Sequence, residues 1–269
     1  MKAHHFDRLT QTHIAAASRR GLIGVLVAAL FVPRLSAAGA VASQRETCPC
    51  PDPPCFLRKW GQEGNGDGQF LGPTAVAVAP DGTVYVADSK NHRIQYFDTD
   101  GTYLGQWGSK GRAGGQFLRS VSVAVAPDGT VYVMDVGNRR VQYFDAAGIY
   151  LGQWGSDGAG PGQFDHSANV AVAPDGTVYV ADPGNDRIQY FDAAGTYLGQ
   201  WGGEGTSEGQ LRYPSDVAVA PDGKTVYVAD TFNNRIQAFC VASGAEGARP
   251  VATPATGTPV VRSPAPATV

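Results

Sequence analysis

Long apolar runs are scarce in this sequence. The one uninterrupted stretch, Gly21 to Val32, has 12 residues. At ~1.5 Å per residue a helix of that length reaches about 18 Å, against the ~30 Å of a hydrocarbon core. It favours a cleaved export signal over a permanent anchor. Charge is scarce as well, with 17% Asp, Glu, Lys and Arg and a formal net charge of −3. No clustered Lys and Arg supply the phosphate-binding surface that a nucleic-acid partner requires. Glycine follows no strict Gly-X-Y period, which excludes collagen. Beyond residue 42 the only histidines are His92 and His166, so a three-histidine zinc centre is excluded. The four cysteines show no typical zinc spacing. No metal and no cofactor is expected. Glycine and proline are what the chain has in abundance, 35 and 18 of 269 residues. Both break helices, so an all-helical protein is excluded. At 43% hydrophobic and 10% aromatic residues, the chain has enough apolar material for a core.

The two ends stand apart from the middle. Residues 1–42 have the layout of an export signal: a polar stretch ending in Ser18-Arg19-Arg20, the apolar run, then small residues such as Ala38-Gly39-Ala40. Ser-Arg-Arg-Gly-Leu-Ile resembles a twin-arginine signal, with ordinary secretion as the alternative. Removing this segment takes five basic residues and one acidic one, moving the net charge from −3 to −7. Residues 43–55 form a Cys/Pro-rich linker containing Cys48 and Cys50, which chain pairing, a metal or a thioether would each suit. Residues 241–269 read as a disordered Ala/Pro/Thr-rich tail. The expected location is outside the cytoplasm, secreted or in the cell envelope, with no membrane contact after signal cleavage.

The middle is a repeat. Trp60, Trp107, Trp154 and Trp201 are spaced by 47 residues, and so are Pro80, Pro127, Pro174 and Pro221. Within Thr74 to Gly108 there are four strand signals. They are Val76–Ala79, the β-branched and aromatic run Thr83–Ala87, the alternating run Arg93–Phe97, and Thr102–Trp107. Pro80-Asp81-Gly82 and Asp98–Gly101 are turns. A glycine-rich crossover, Gly108 to Gln116, leads to the next unit. Four short antiparallel strands in 40-odd residues is the arithmetic of a β-propeller blade.

The runs Val84 to Phe97 (Val-Tyr-Val-Ala-Asp-x-x-Asn-x-Arg-Ile-Gln-Tyr-Phe) and Gly105 to Gly108 (Gly-Gln-Trp-Gly) resemble NHL repeats. The resemblance covers about Phe56 to Cys240. It implies an all-β propeller, usually of six blades, and no single activity: such repeats occur in RNA-binding proteins, amidating lyases and signalling ectodomains. Here three full units and two complementary parts are present. Tyr213 to Cys240 supplies three strands, and Phe56 to Gly61 reads as the missing fourth. The expectation is a propeller of four four-stranded blades over residues 56–240, closed by pairing the N-terminal strand with the last blade. The alternative is an open arc that assembles between chains.

Superposing the repeats puts Cys240 at the position of Asp98 and Cys55 at that of Thr102. These two positions flank a hairpin and face each other, so a Cys55–Cys240 disulfide is expected in an exported protein. One Asp and one Arg recur in every unit: Asp88 with Arg93, Asp135 with Arg140, Asp182 with Arg187, and Asp230 with Arg235. They read as repeated structural pairs.

Variation among the repeats concentrates in the second-to-third loop and the fourth-to-first crossover, which share one face. His92, Arg119, Arg139, His166, Asn169, Arg212, Tyr213, Asp216 and Phe232 stand at its variable positions. Binding residues sit on loops held by a rigid scaffold. The alternative is drift in unconstrained loops. The reading is an exported, non-catalytic scaffold that binds a protein or a carbohydrate through this face, with self-association open. A metal-dependent hydrolase or lyase with a site at the channel is the rival.

Overall fold

The computed structural model describes residues 56–241. Residues 1–55, where the export signal and the linker with Cys48, Cys50 and Cys55 are expected, and the residues after Val241, where the tail is expected, lie outside the described residues.

The first blade is β1 (Pro73–Val78), β2 (Val84–Asp88), β3 (Arg93–Phe97) and β4 (Tyr103–Trp107), paired antiparallel in chain order. Its turns are built by side chains. The Asp81 carboxylate accepts the Thr83 N–H at 2.9 Å, and Gly82, at φ 93°, donates its N–H to the Ala79 carbonyl. The Asp98 carboxylate accepts the N–H groups of Asp100 and Thr102 at 2.9 and 2.8 Å. A single 3-10 turn, Ser89–Asn91, joins β2 to β3. The second blade repeats this order with β5 (Ser120–Val125), β6 (Val131–Asp135), β7 (Arg140–Phe144) and β8 (Tyr150–Trp154). A short parallel pair follows in the crossover, β9 (Ser156–Asp157) and β10 (Gln163–Phe164). The third blade is β11 (Asn169–Val172), β12 (Val178–Asp182), β13 (Arg187–Phe191) and β14 (Tyr197–Gly202). The last is β15 (Pro214–Val219), β16 (Thr225–Asp230) and β17 (Arg235–Cys240).

The core lies between blades. Tyr85, Ile94 and Ala87 of the first blade pack with Val123, Val131 and Phe144 of the second. Tyr132, Met134 and Val141 pack with Val170, Val178 and Phe191 of the third. Tyr179, Ala181 and Ile188 pack with Val217, Val226 and Val228 of the last. The Tyr85 hydroxyl donates to the Ala146 carbonyl and the Tyr132 hydroxyl to the Ala193 carbonyl, each at 2.9 Å and each in the following blade. The tryptophans bridge in the same sense. Trp107 packs at a tilt against Phe144 at 5.4 Å and Trp154 against Phe191 at 5.5 Å, ring centroid to ring centroid.

The four-bladed, all-β propeller architecture stands as the sequence predicts. Among the described residues the closing strand does not form. The sheet of the last blade ends at β17, and residues 56–60 form no strand. Instead this segment lies on the first blade: the Trp60 ring sits over Gly101, Arg58 is paired with Asp100, and Arg58 donates to the Thr99 carbonyl at 3.0 Å. Three near-identical interfaces impose one step between blades, and four blades at that step leave the outer faces of the first and last uncovered. Cys240, at the end of β17, is exposed.

Candidate binding face

A buried network fixes the loops of one face. Asp88 is fully buried, and its Oδ2 accepts Arg93 Nε at 2.8 Å, Asn91 Nδ2 at 2.8 Å and Gln95 Nε2 at 3.2 Å. Its Oδ1 accepts the Leu71 N–H at 2.7 Å. The Arg93 guanidinium donates to the carbonyls of Asn65, Gly66 and Gln69, each at 2.8 Å, so the crossover before the blade is clamped to the loop after β2. The other Asp–Arg pairs are built alike, at 2.9 Å for Asp135 with Arg140, 2.9 Å for Asp182 with Arg187 and 2.7 Å for Asp230 with Arg235. Hydrogen bonds to a buried carboxylate compensate its lost hydration. The balance differs between blades. Burial lifts the Asp182 carboxyl above its ordinary range against the opposing hydrogen bonds from Asn185, Asp165 and Arg187. At the exposed end of the array burial also pushes Asp230 upward, but hydrogen bonds from Asn233, Arg212, Arg235 and Gln237 outweigh it and hold the carboxyl below its ordinary range. Asn91, Asn138, Asn185 and Asn233, and Gln95, Gln142, Gln189 and Gln237, belong to the network and were not singled out from the sequence. Their recurrence at fixed places in each unit is the signal that finds them.

On this frame stands a row of side chains with unusual backbone geometry. His92, Arg119, Arg139, His166, Asp186, Tyr213 and Asn234 all have φ between 51° and 66°. His92, Arg139, Asp186 and Asn234 cap the four 3-10 turns. Arg119, His166 and Tyr213 end the crossovers, at the position held in the first crossover by Gly72, with φ 60°. Non-glycine residues enter this region at a cost of about 1–2 kcal/mol. The two sets meet between neighbouring blades. The Arg119 N–H donates to His92 Nδ1 at 3.2 Å, and the Tyr213 N–H to Asp186 Oδ1 at 2.7 Å. Arg139 Nη2 and His166 Nδ1 converge on Asp165 Oδ1, at 3.2 and 2.7 Å, and Arg139 Nε also pairs with Asp157 at 3.1 Å.

At the last blade the row ends in aromatics. Tyr213 and Phe232 stack with ring centroids 4.6 Å apart and planes 12° apart, and both remain exposed. The Phe232 N–H donates to the Arg212 carbonyl at 3.0 Å, and the Arg212 residue is exposed. Asn169 and Asp216 lie elsewhere, on the inner strands β11 and β15. Asn169 pairs in register with Ala181, and its side-chain oxygen is buried without a hydrogen-bond partner. Asp216 is exposed, and its carboxylate accepts the Val217 N–H at 2.9 Å.

The opposite face carries the Pro-Asp-Gly turns. A cavity of about 340 Å³ opens there between the ends of the first strands, lined by Val, Ala and Pro such as Val78, Pro80, Val125, Pro127, Val219 and Pro221. No titratable side chain lines it. Among the described residues no group of three His, Cys, Asp or Glu is placed to hold a metal ion, and no helix is long and apolar enough to cross a membrane.

The NHL repeat family model matches residues 70–97 and 211–239, in the first and last blades. Two segments of the chain match the NHL repeat. Two curated relatives are similar over 45 residues each. The B-box type zinc finger protein ncl-1 of Caenorhabditis elegans is 49% identical over 45 residues, 17% of this chain and 5% of that protein. Protein brain tumor of Drosophila melanogaster is 47% identical over 45 residues, 17% of this chain and 4% of that protein. Among solved structures, Kuenenia stuttgartiensis hydrazine synthase superposes with a TM-score of 0.50 at 19% identity, over 66% of this chain and 49% of that one. A putative 6-phosphogluconolactonase from Bacteroides uniformis gives a TM-score of 0.50 at 17% identity, over 66% and 53%. The chain thus spans about a twentieth of these sequence relatives and about half of these structures. The structural likeness is one of fold. The Asp–Asn–Arg–Gln networks of the first and last blades lie inside the matched segments, and the left-handed row marks where the repeats diverge from one another.

Proposed function

We propose that the protein is an exported, non-catalytic NHL propeller that binds a protein or a carbohydrate through the face of crossovers and 3-10 turns. The observation that carries this reading is the row of seven non-glycine residues held in the left-handed region on one face. Where conformational strain is maintained by surrounding structure, function is the first explanation to test. The exposed Tyr213–Phe232 stack gives the face an aromatic anchor at the last blade, since aromatic side chains dominate binding energy at interfaces. Rigid loops keep the entropic cost of binding low. Residues 1–42 direct export in this reading, by the twin-arginine or the general route.

Capture tests it. The purified protein is immobilised and challenged with extracellular and envelope proteins and with a glycan array, alongside an Arg119/His166/Tyr213→Ala variant. Partners held by the native protein and lost from the variant support the reading. Unchanged capture removes this face as the binding surface.

A further inference from the structure

The three interfaces inside the chain share one construction, and its two ends expose the halves of a fourth. On the receiving side, Val123, Val170 and Val217 are 6%, 3% and 3% exposed, whereas Val76 at the same position of the first blade is 65% exposed. On the delivering side, Tyr85, Tyr132 and Tyr179 are 1–2% exposed, against 47% for Tyr227. Ile94, Val141 and Ile188 are fully buried, and Ile236 is 67% exposed. Isolated apolar side chains at a surface need no explanation, but two faces that match an interface made three times over do.

A second observation concerns the missing outer strand. Tyr96, Tyr143 and Tyr190 directly oppose Gly105, Gly152 and Gly199 on the neighbouring strand. A Cβ at these glycines would lie 2.5, 2.5 and 2.4 Å from the tyrosine hydroxyl oxygen, so a side chain is excluded there. On β17 the tyrosine position is Ala238, and the residue 47 before Gly105 is Arg58. The exchange is reciprocal: a side chain appears on one strand where the opposing ring has gone. Residues 56–61 are therefore fitted to the free edge of β17, although in the chain they lie on the first blade. Trp60 covers Gly101 there as Trp107 covers Gly148 and Trp154 covers Gly195. That is the place of the outer strand of a preceding blade.

We propose that copies of this chain associate head to tail. The last blade of one copy packs on the first blade of the next, and residues 56–61 of the second copy add to β17 of the first as its fourth strand. The occupant is a second copy because each free face already fits the other in this sequence. Such a heterologous contact covers the open strand edge and forms a ring or an extended array according to the angle at each junction. The proposal concerns the faces between blades and stands apart from the loop face proposed for binding.

Size-exclusion chromatography with light scattering, over a concentration series, reads it. The native protein is expected at two or more times the mass of one chain. Ile236→Asp spoils the delivering face and Val76→Asp the receiving face. Both positions are exposed in the single chain, so circular dichroism stays native while association weakens about 10-fold or more. An equimolar mixture of the two variants retains one good face of each kind and forms pairs that grow no further. Ala238→Tyr weakens association, and Arg58→Gly added to it restores association. A single-chain mass at every concentration overturns the proposal, as does assembly indifferent to Ile236→Asp, or failure of the mixed variants to pair.

Discussion

Replacing Arg119 by glycine should leave the fold as stable as before or more so. Arg119 holds φ 66°, and its counterpart in the first crossover is already a glycine, Gly72. An L-residue in this region costs about 1–2 kcal/mol, which glycine removes. The greater freedom of glycine in the unfolded chain takes back about 0.5–1 kcal/mol. The difference is a gain between about 0 and 1.5 kcal/mol, because the Arg119 side chain is exposed and its N–H bond to His92 does not need the side chain. Arg119→Ala keeps the left-handed backbone without relief and is expected to be about 1 kcal/mol less stable than Arg119→Gly. For a domain of this size that separates the two melting points by about 2–4 °C. Thermal unfolding followed by circular dichroism measures the gap, and capture experiments on the same variants measure binding. The two readouts are expected to diverge, with glycine improving or preserving stability while binding falls. An Arg119→Gly protein less stable than Arg119→Ala refutes the claim that this row carries strain.

Other expectations follow from the same geometry. Gly152→Ala should cost about 1–3 kcal/mol in denaturant unfolding, because its new Cβ meets the Tyr143 hydroxyl at 2.5 Å. Acidification should open the last blade before the third. Asp230 has a pKa below the ordinary 3.8, so its stabilising contribution is complete above that pH and is lost as the pH falls through the lower native value. Asp182, lifted by burial, has the opposite sign. Hydrogen exchange at descending pH reads the order, and simultaneous loss in both blades counts against it. Non-reducing peptide mapping of the purified protein should recover Cys55 of one copy joined to Cys240 of the next, because residues 56–60 of a chain lie on its own first blade, and a free thiol at either position refutes that pairing.

The blades were legible because each unit repeats its own solution. The turn aspartates, the strand alternation and the Trp step recur at one period, and local physics makes each unit the same way. The Asp–Arg pairs were visible for that reason, and the Asn and Gln that complete their network carried the same signal. The left-handed row was not legible. His, Arg and Tyr carry no conformational mark of their own, and only Gly72 at the equivalent position hinted at the backbone there. The closing strand was misplaced because a period identifies which strand a segment resembles and not which sheet edge it meets. That depends on the step between blades, which three packed layers set together. Tyr213 and Phe232 were chosen as variable positions, while their stacking depends on how the Arg212 carbonyl fixes the Phe232 backbone.

The division of the core into three separate layers has a consequence for how the molecule comes apart and how it changes. No side chain at one end depends directly on packing at the other. Stability then accrues as a sum of unit and neighbour terms, as in a one-dimensional lattice. Loss begins at a terminal unit, which has one neighbour, and advances inward. A duplication or deletion of 47 residues alters the count of layers without disturbing those that remain, so the length of the array is free to drift where its chemistry is not.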